Sequence, residues 1–247
     1  CFPDVGDCFC SLFQKSEIAI YSAKKDGKNT YHIYNESMDK NQIEHLELNN
    51  KIKDGIKNNE FTLHYQPQID LSQNRIVGVE ALIRWHHPEL GMIPPSDFIP
   101  VAELSGLIVS LGEWVIKEAC RQASEWKKDG IDICVAVNIS AVQFKRGNLK
   151  EVVSESLDSF MIHPSCLELE LTESILMHDA ENTLLAVQEL KDLGVQFSID
   201  DFGTGYSSLA YLKRFAVDKL KIDRSFVADI LHDKDDAAIA NTIIQMA

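Results

Sequence analysis

From Phe61 onward, short apolar runs alternate with longer amphipathic stretches, and this rhythm predicts repeated strand–helix units. The runs predicted as strands are Phe61–Gln66, Arg75–Arg84, Ile133–Asn138, Cys166–Leu171, Gln196–Asp200 and Lys219–Ile222. Between them, Leu111, Trp114, Val115, Ala119, Ala123 and Trp126 share one helical face, and Lys127-Lys128-Asp129-Gly130 closes that helix. Leu184, Val187, Leu190 and Lys191 mark a second helix, ended by Gly194. Strand–helix–strand spacings of roughly 30 residues imply βαβ units and a parallel sheet. No GxGxxG turn follows any strand, which disfavours a dinucleotide-binding fold.

The chain before Phe61 has a different pattern. Leu12, Ile18, Ala19 and Ala23 form a helical stripe, Asp26-Gly27-Lys28-Asn29 breaks it, and Thr30–Tyr34 is expected to be a short strand. One helix and one strand cannot bury a core of their own. Residues 39–58, rich in Asn, Lys, Glu and Leu, are expected to form a helical linker. Near the other end, Asp233–Asp236 is expected to be a solvated loop, and Ala237–Ala247 the start of a helix.

A chain of 247 residues, 45% hydrophobic, can bury a sizeable core. Its formal net charge of -14 argues against a nucleic-acid polymer as partner, which needs a basic face. An anionic nucleotide stays compatible with that charge, provided cations offset the field in one cleft. No apolar run approaches the roughly 20 residues of a membrane span, so no membrane contact is expected from this stretch. No signal peptide is visible, and a cytoplasmic location is expected. The six cysteines form no CxxC pair and read as reduced, structural thiols, with Cys8-x-Cys10 too tight for a zinc knuckle.

Candidate chemistry collects at strand ends. Glu80, Asn138, Glu170, Asp200-Asp201 and Lys221 each lie on or near the end of a predicted strand, where a parallel α/β barrel places its site. Any one of them alone is best read as a solvated or capping group; on successive strands they point to one shared site. The set is hard-oxygen in character, which suits Mg²⁺ or Mn²⁺ rather than zinc. The adjacent Asp200 and Asp201 can serve two neighbouring ions, as two-metal phosphodiester hydrolysis requires. Two other features read as bland. Asp201-Phe202-Gly203 spells a kinase metal motif without the remaining kinase motifs, and adjacent His86-His87 point apart and suit a turn. Glu168 alternates onto the face of Glu170, and its role stays open at this level.

Together these residues resemble the EAL-domain family. The match starts at Tyr65-Gln66-Pro67 and runs through Glu80-Ala81-Leu82, Arg84-Trp85-His86-His87-Pro88, Gly91–Pro95 and Phe98-Ile99-Pro100. It continues in Val137-Asn138-Ile139-Ser140, Glu170-Leu171-Thr172-Glu173-Ser174, Asp200–Gly205 and Lys219–Phe226. The resemblance implies a TIM-like (β/α)8 barrel over residues 59–247. It also implies hydrolysis of cyclic di-GMP to linear pGpG with two Mg²⁺ or Mn²⁺ ions. Residues 1–38, through Phe2-Pro3-Asp4 and Ala19–Asn29, resemble the C-terminal end of a GGDEF domain, whose signature loop appears nowhere in the chain.

The same resemblance implies individual roles. Glu80, Asn138, Glu170 and Asp200 are expected to hold the first ion, with Asp200 and Asp201 reaching the second. Lys221 is expected to orient the attacking water or steady developing charge. Arg84 is expected to bind a substrate phosphate and Gln66 to line the pocket. Glu173 is expected to anchor the loop from Asp201 through Ser208, facing away from Glu170 because the two positions differ by an odd number. A homodimer and N-terminal GGDEF or sensory domains are the implied partners. Six strands are counted where a closed barrel has eight, and the family's seventh-strand glutamate and eighth-strand glutamine have no counterpart here. The alternative is a catalytically inactive EAL domain that serves as a cyclic di-GMP receptor or interaction module.

Overall fold

The strand–helix rhythm is realised as a mainly parallel sheet with helical crossovers. The computed structural model describes residues 12–13, 15–16, 18–20, 23, 30–146, 148–177, 180–204 and 214–246. In chain order the elements begin with α1 (Glu36–Lys57), β1 (Phe61–Asp70), β2 (Arg75–His87), β3 (Gly91–Ile93), α2 (Pro95–Ser105) and α3 (Leu107–Lys128). Next come β4 (Cys134–Asn138), α4 (Ala141–Arg146), α5 (Leu149–Phe160), β5 (Leu167–Thr172), α6 (Glu173–Met177) and α7 (Ala180–Lys191). The last are β6 (Gln196–Phe202), β7 (Lys219–Ile222), α8 (Ser225–Ala228) and α9 (Lys234–Met246). The strand order is β1-β2-β4-β5-β6-β7, with β3 added to β2. β2, β4, β5, β6 and β7 pair in parallel, in sequence order, as in a TIM-like (β/α)8 barrel.

By internal packing the chain divides into Cys1–Phe61 with Trp85–Leu107, and Thr62–Arg84 with Ile108–Ala247. The first unit centres on aromatic rings. Trp85 is fully buried and stacks on Phe61 at 5.2 Å between centroids, with Phe98 edge-on to both. Its indole N–H donates to Glu60 Oε2 at 2.9 Å, so the ring's one polar group is satisfied.

The second unit carries the candidate site. Period-2 alternation sends Val135, Val137, Leu167, Leu169, Leu171, Phe197 and Ile199 into an apolar core, against Ile116, Ala119, Val153 and Leu190 from the crossover helices. The opposite face of the sheet carries Glu80, Glu168, Glu170, Ser198, Lys219 and Lys221. Ala136, register partner of both Glu80 and Glu168, is small and leaves room between those carboxylates.

Two local expectations need correction. Residues 30–35 form no regular element, and Tyr31 and Ile33 are exposed: an alternating run lacks a ladder partner among the described residues. The Asp233–Asp236 run is not a loop. Asp233 Oδ1 accepts the N–H groups of Asp235 (2.8 Å) and Asp236 (3.3 Å) and so opens α9, where acidic residues suit the first turn. The expected linker helix spans α1, and the described residues between 12 and 23 are helical. Cys120, Cys134 and Cys166 are free thiols; Cys1, Cys8 and Cys10 lie outside the described residues. Among the described residues, no single helix is long and apolar enough to cross a membrane.

Candidate metal centre

Five strands deliver one cluster. Glu80 stands on β2, Glu170 on β5 and Asp200 on β6, and one carboxylate oxygen from each lies within 4.8 Å of the others. From β7, Lys221 Nζ donates to Glu170 Oε2 at 2.6 Å and Glu80 Oε2 at 3.1 Å, and lies 3.3 Å from Asp200 Oδ1. Asn138, the last residue of β4, donates its Nδ2 to Glu80 Oε1 at 2.8 Å. Parallel pairing brings this about. Glu80 is in register with Ala136, Glu170 with Asn138 two residues further along, and Asp200 with Thr172 two residues beyond that, so successive strands deliver their side chains with a regular stagger.

Burial sets the electrostatics. Removal from water pushes the Glu170 carboxyl up to about 7; Lys221 pulls against that, while the Glu80 and Asp200 charges push further up. Burial works against the Lys221 charge, but its bond to Glu170 and the fields of Glu170, Asp200 and Glu80 hold it firmly protonated. With all three carboxylates ionised, the one ammonium leaves two negative charges in excess. Glu170 is 1% exposed, and its Oε1 has no hydrogen-bond partner among the described residues. An all-oxygen donor set with an orphaned buried oxygen fits a hard divalent cation.

The end of β6 is irregular. Ile199 pairs with Leu220 and Phe202 with Ile222, so three steps on β6 oppose two on β7. The extra residue is a bulge, and Asp201 sits there at φ 53. In a regular strand the adjacent Asp200 and Asp201 point to opposite faces; the left-handed residue breaks that alternation. Asp201 consequently feels its neighbours. Its carboxyl is raised by burial, then by the Asp200 charge and a hydrogen bond with Asp223, with Lys221 acting in the other direction. Past the bulge, Gly203 (φ 104) donates its N–H to Glu173 Oε2 at 3.1 Å. A Cβ at Gly203 would stand 2.9 Å from the Phe226 ring, so the turn requires glycine.

Comparison with known proteins settles the family. The chain matches the EAL domain over residues 49–247. The chain belongs to the EAL-domain family. It is 44% identical over 246 residues to the bifunctional diguanylate cyclase/cyclic di-GMP phosphodiesterase MucR of Pseudomonas aeruginosa, covering 99% of this chain and 36% of MucR. It is 37% identical over 245 residues to the cyclic di-GMP phosphodiesterase PdeR of Escherichia coli, covering 99% of this chain and 37% of PdeR. The chain thus spans about a third of the length of these curated relatives. Among solved structures, a MucR phosphodiesterase in complex with c-di-GMP aligns with a TM-score of 0.78 at 46% identity, covering 81% of each chain.

Other predicted residues of this EAL domain lie apart from the cluster. Arg84, on β2, donates to the Ile83 carbonyl at 2.8 Å, and Gln66, on β1, is exposed. Neither contributes to the hydrogen bonds that meet at Lys221. Glu173 is not on β5, which ends at Thr172; it opens α6, so strand alternation does not govern its direction. It is 3% exposed and reaches Gly203 from that helix. Residues 205–208 of the expected loop lie outside the described residues. His87 serves a turn, with Nδ1 accepting the N–H groups of Glu89 and Leu90.

Sequence reasoning left Glu168 open and passed over Lys219. The structure joins them: Lys219 Nζ donates to Glu168 Oε2, below the cluster. The signal was parity, since 168 and 170 share a face of β5 just as 219 and 221 share a face of β7.

Proposed function

We propose that this chain hydrolyses cyclic di-GMP to linear pGpG with the help of Mg²⁺ or Mn²⁺. The observation that carries this reading is the convergence of Glu80, Glu170 and Asp200, from three parallel strands, within 4.8 Å. The similarity to MucR and PdeR, named as cyclic di-GMP phosphodiesterases, supports the substrate.

Glu80, Asn138, Glu170 and Asp200 hold one divalent ion, and Asp200 with Asp201 reaches a second. Divalent ions held there would supply Lewis-acid polarisation of a phosphoryl oxygen and a water that is nucleophilic near neutral pH. Lys221 keeps its proton, orients that water and steadies charge growing on the phosphoryl group. Arg84, with a planar fork of donors, leaves the Ile83 carbonyl to bind a phosphate oxygen. Glu173 holds Gly203, and so fixes the bulge from which Asp201 projects. Under this reading the chain works as a homodimer beside GGDEF or sensory domains.

The test is chromatography of cyclic di-GMP incubated with the chain in Mn²⁺, beside an E80Q variant. Expected is pGpG from the wild type and a loss of about a thousandfold in the variant. Equal turnover by E80Q contradicts the assigned ligand set. Tight nucleotide binding by both proteins without product indicates a receptor instead.

A further inference from the structure

Beneath the acidic cluster lies a second acid–amine pair. Glu168 is 1% exposed; its Oε2 accepts from Lys219 Nζ and lies 4.0 Å from the Cys134 thiol. That thiol also lies 3.8 Å from Gln196 Oε1, and burial followed by the Glu168 charge pushes it up to about 12, so it stays a protonated donor. Glu168 Oε1 is buried without a hydrogen-bond partner among the described residues.

The arrangement repeats with a period of two residues. Glu168 and Glu170 follow each other on the inner face of β5, and Lys219 and Lys221 on the inner face of β7. Each lysine bridges to its own glutamate across β6, making two parallel rungs roughly 6.6 Å apart along the strands. Between them stands Ser198, 1% exposed, in register with Glu170 on one side and Lys219 on the other.

We propose that Glu168 and Lys219 are positioning residues for the metal centre. The lower rung ties β5 to β7 across the intervening strand and so sets the height at which Glu170 and Lys221 leave the sheet. It also divides the charge. With Lys219 engaged by Glu168, Lys221 is left to orient the three carboxylates above. Without Lys219, the buried Glu168 carboxylate faces the cluster uncompensated, and Lys221 becomes the ammonium both layers draw on. The pair touches neither ion nor substrate and acts through Glu170 and Lys221.

This inference rests on the proposed metal-binding function, and calorimetric titration of the chain with Mn²⁺ alone separates the two. Wild type, K219M, K219R and E168Q are compared, with thermal melting in parallel. Expected is a Mn²⁺ affinity about tenfold weaker in K219M and E168Q, the scale on which groups behind metal ligands act. K219R, which keeps the cation, stays within about threefold of wild type. Turnover of cyclic di-GMP by K219M is expected to fall in kcat with KM nearly unchanged. Should K219M not fold, the E168Q/K219M double variant, which removes both charges, takes its place with the same tenfold expectation. Wild-type Mn²⁺ affinity in a folded K219M or double variant overturns the positioning role. Failure of the folded wild type to bind Mn²⁺ at all overturns the metal-site reading, and this inference with it.

Discussion

The two faces of β5 are equally buried and chemically opposite. Leu167, Leu169 and Leu171 are at most 1% exposed, as are Glu168 and Glu170 between them. The leucines hold the sheet to its crossover helices, each contributing about 1.5–3 kcal/mol by leaving water. The glutamates gain nothing from burial and are tolerated because Lys219 and Lys221 meet them. Burial therefore separates core from surface but not scaffold from site. Within one strand the odd residues make the fold and the even ones the chemistry.

Substitutions that leave one face alone break the comparison most sharply. E170Q keeps the shape of the side chain and removes the buried charge. It is expected to cut Mn²⁺-dependent turnover by about a thousandfold, with melting at or above the wild-type temperature. A melting point lowered along with activity would mean that Glu170 supports the fold. On the other face, L169A should cost about 2–5 kcal/mol in denaturant unfolding. Mn²⁺ affinity of the folded protein should remain within about threefold of wild type. A loss of metal affinity as large as that of E170Q would show that the two faces are not separable.

The pH dependence sharpens the same point. The folded Glu170 carboxyl titrates at about 7, above the ~4.3 of an unfolded glutamate. The folded state thus holds this proton more tightly, so the contribution favouring folding is present below pH ~4.3 and is lost as pH rises to about 7. Metal-free wild type is expected to lose stability on the order of 3 kcal/mol across that window relative to E170Q, read from urea unfolding at successive pH values. Parallel pH profiles of the two proteins would remove Glu170 as the source. The smallest effect is expected for G203A. A left-handed alanine against the Phe226 ring should cost about 1–3 kcal/mol and weaken Mn²⁺ binding through Asp201. Unchanged melting and metal affinity would separate the bulge from the site.

The parallel strands were legible because short apolar or alternating runs recur between helices that carry clear stops at Gly130 and Gly194. Asn138, Glu170, Asp200 and Lys221 were legible because each stands near a strand end, whereas Glu80 stands within β2, which continues to His87. The geometry of Asp201 was not. Its position depends on a bulge, and a one-residue register change against β7 leaves no mark in composition or period. Glu173 was misplaced for a related reason: β5 gives way to α6 at that residue, where period 2 gives way to 3.6. The Glu168–Lys219 pair needed knowledge that β7 follows β6, since 51 residues separate the partners. Thr30–Tyr34 shows the converse, alternation without a ladder.

The most direct measurement of the central claim is phosphorus NMR of cyclic di-GMP mixed with this chain in Mg²⁺, followed by excess chelator. The single diester resonance is expected to be replaced by one phosphomonoester and one phosphodiester signal in equal amounts. That is the signature of opening one bond of the ring, and conversion should stop when the ion is withdrawn. An unchanged diester resonance from a folded, Mg²⁺-saturated protein, or conversion that continues in chelator, would contradict the claim.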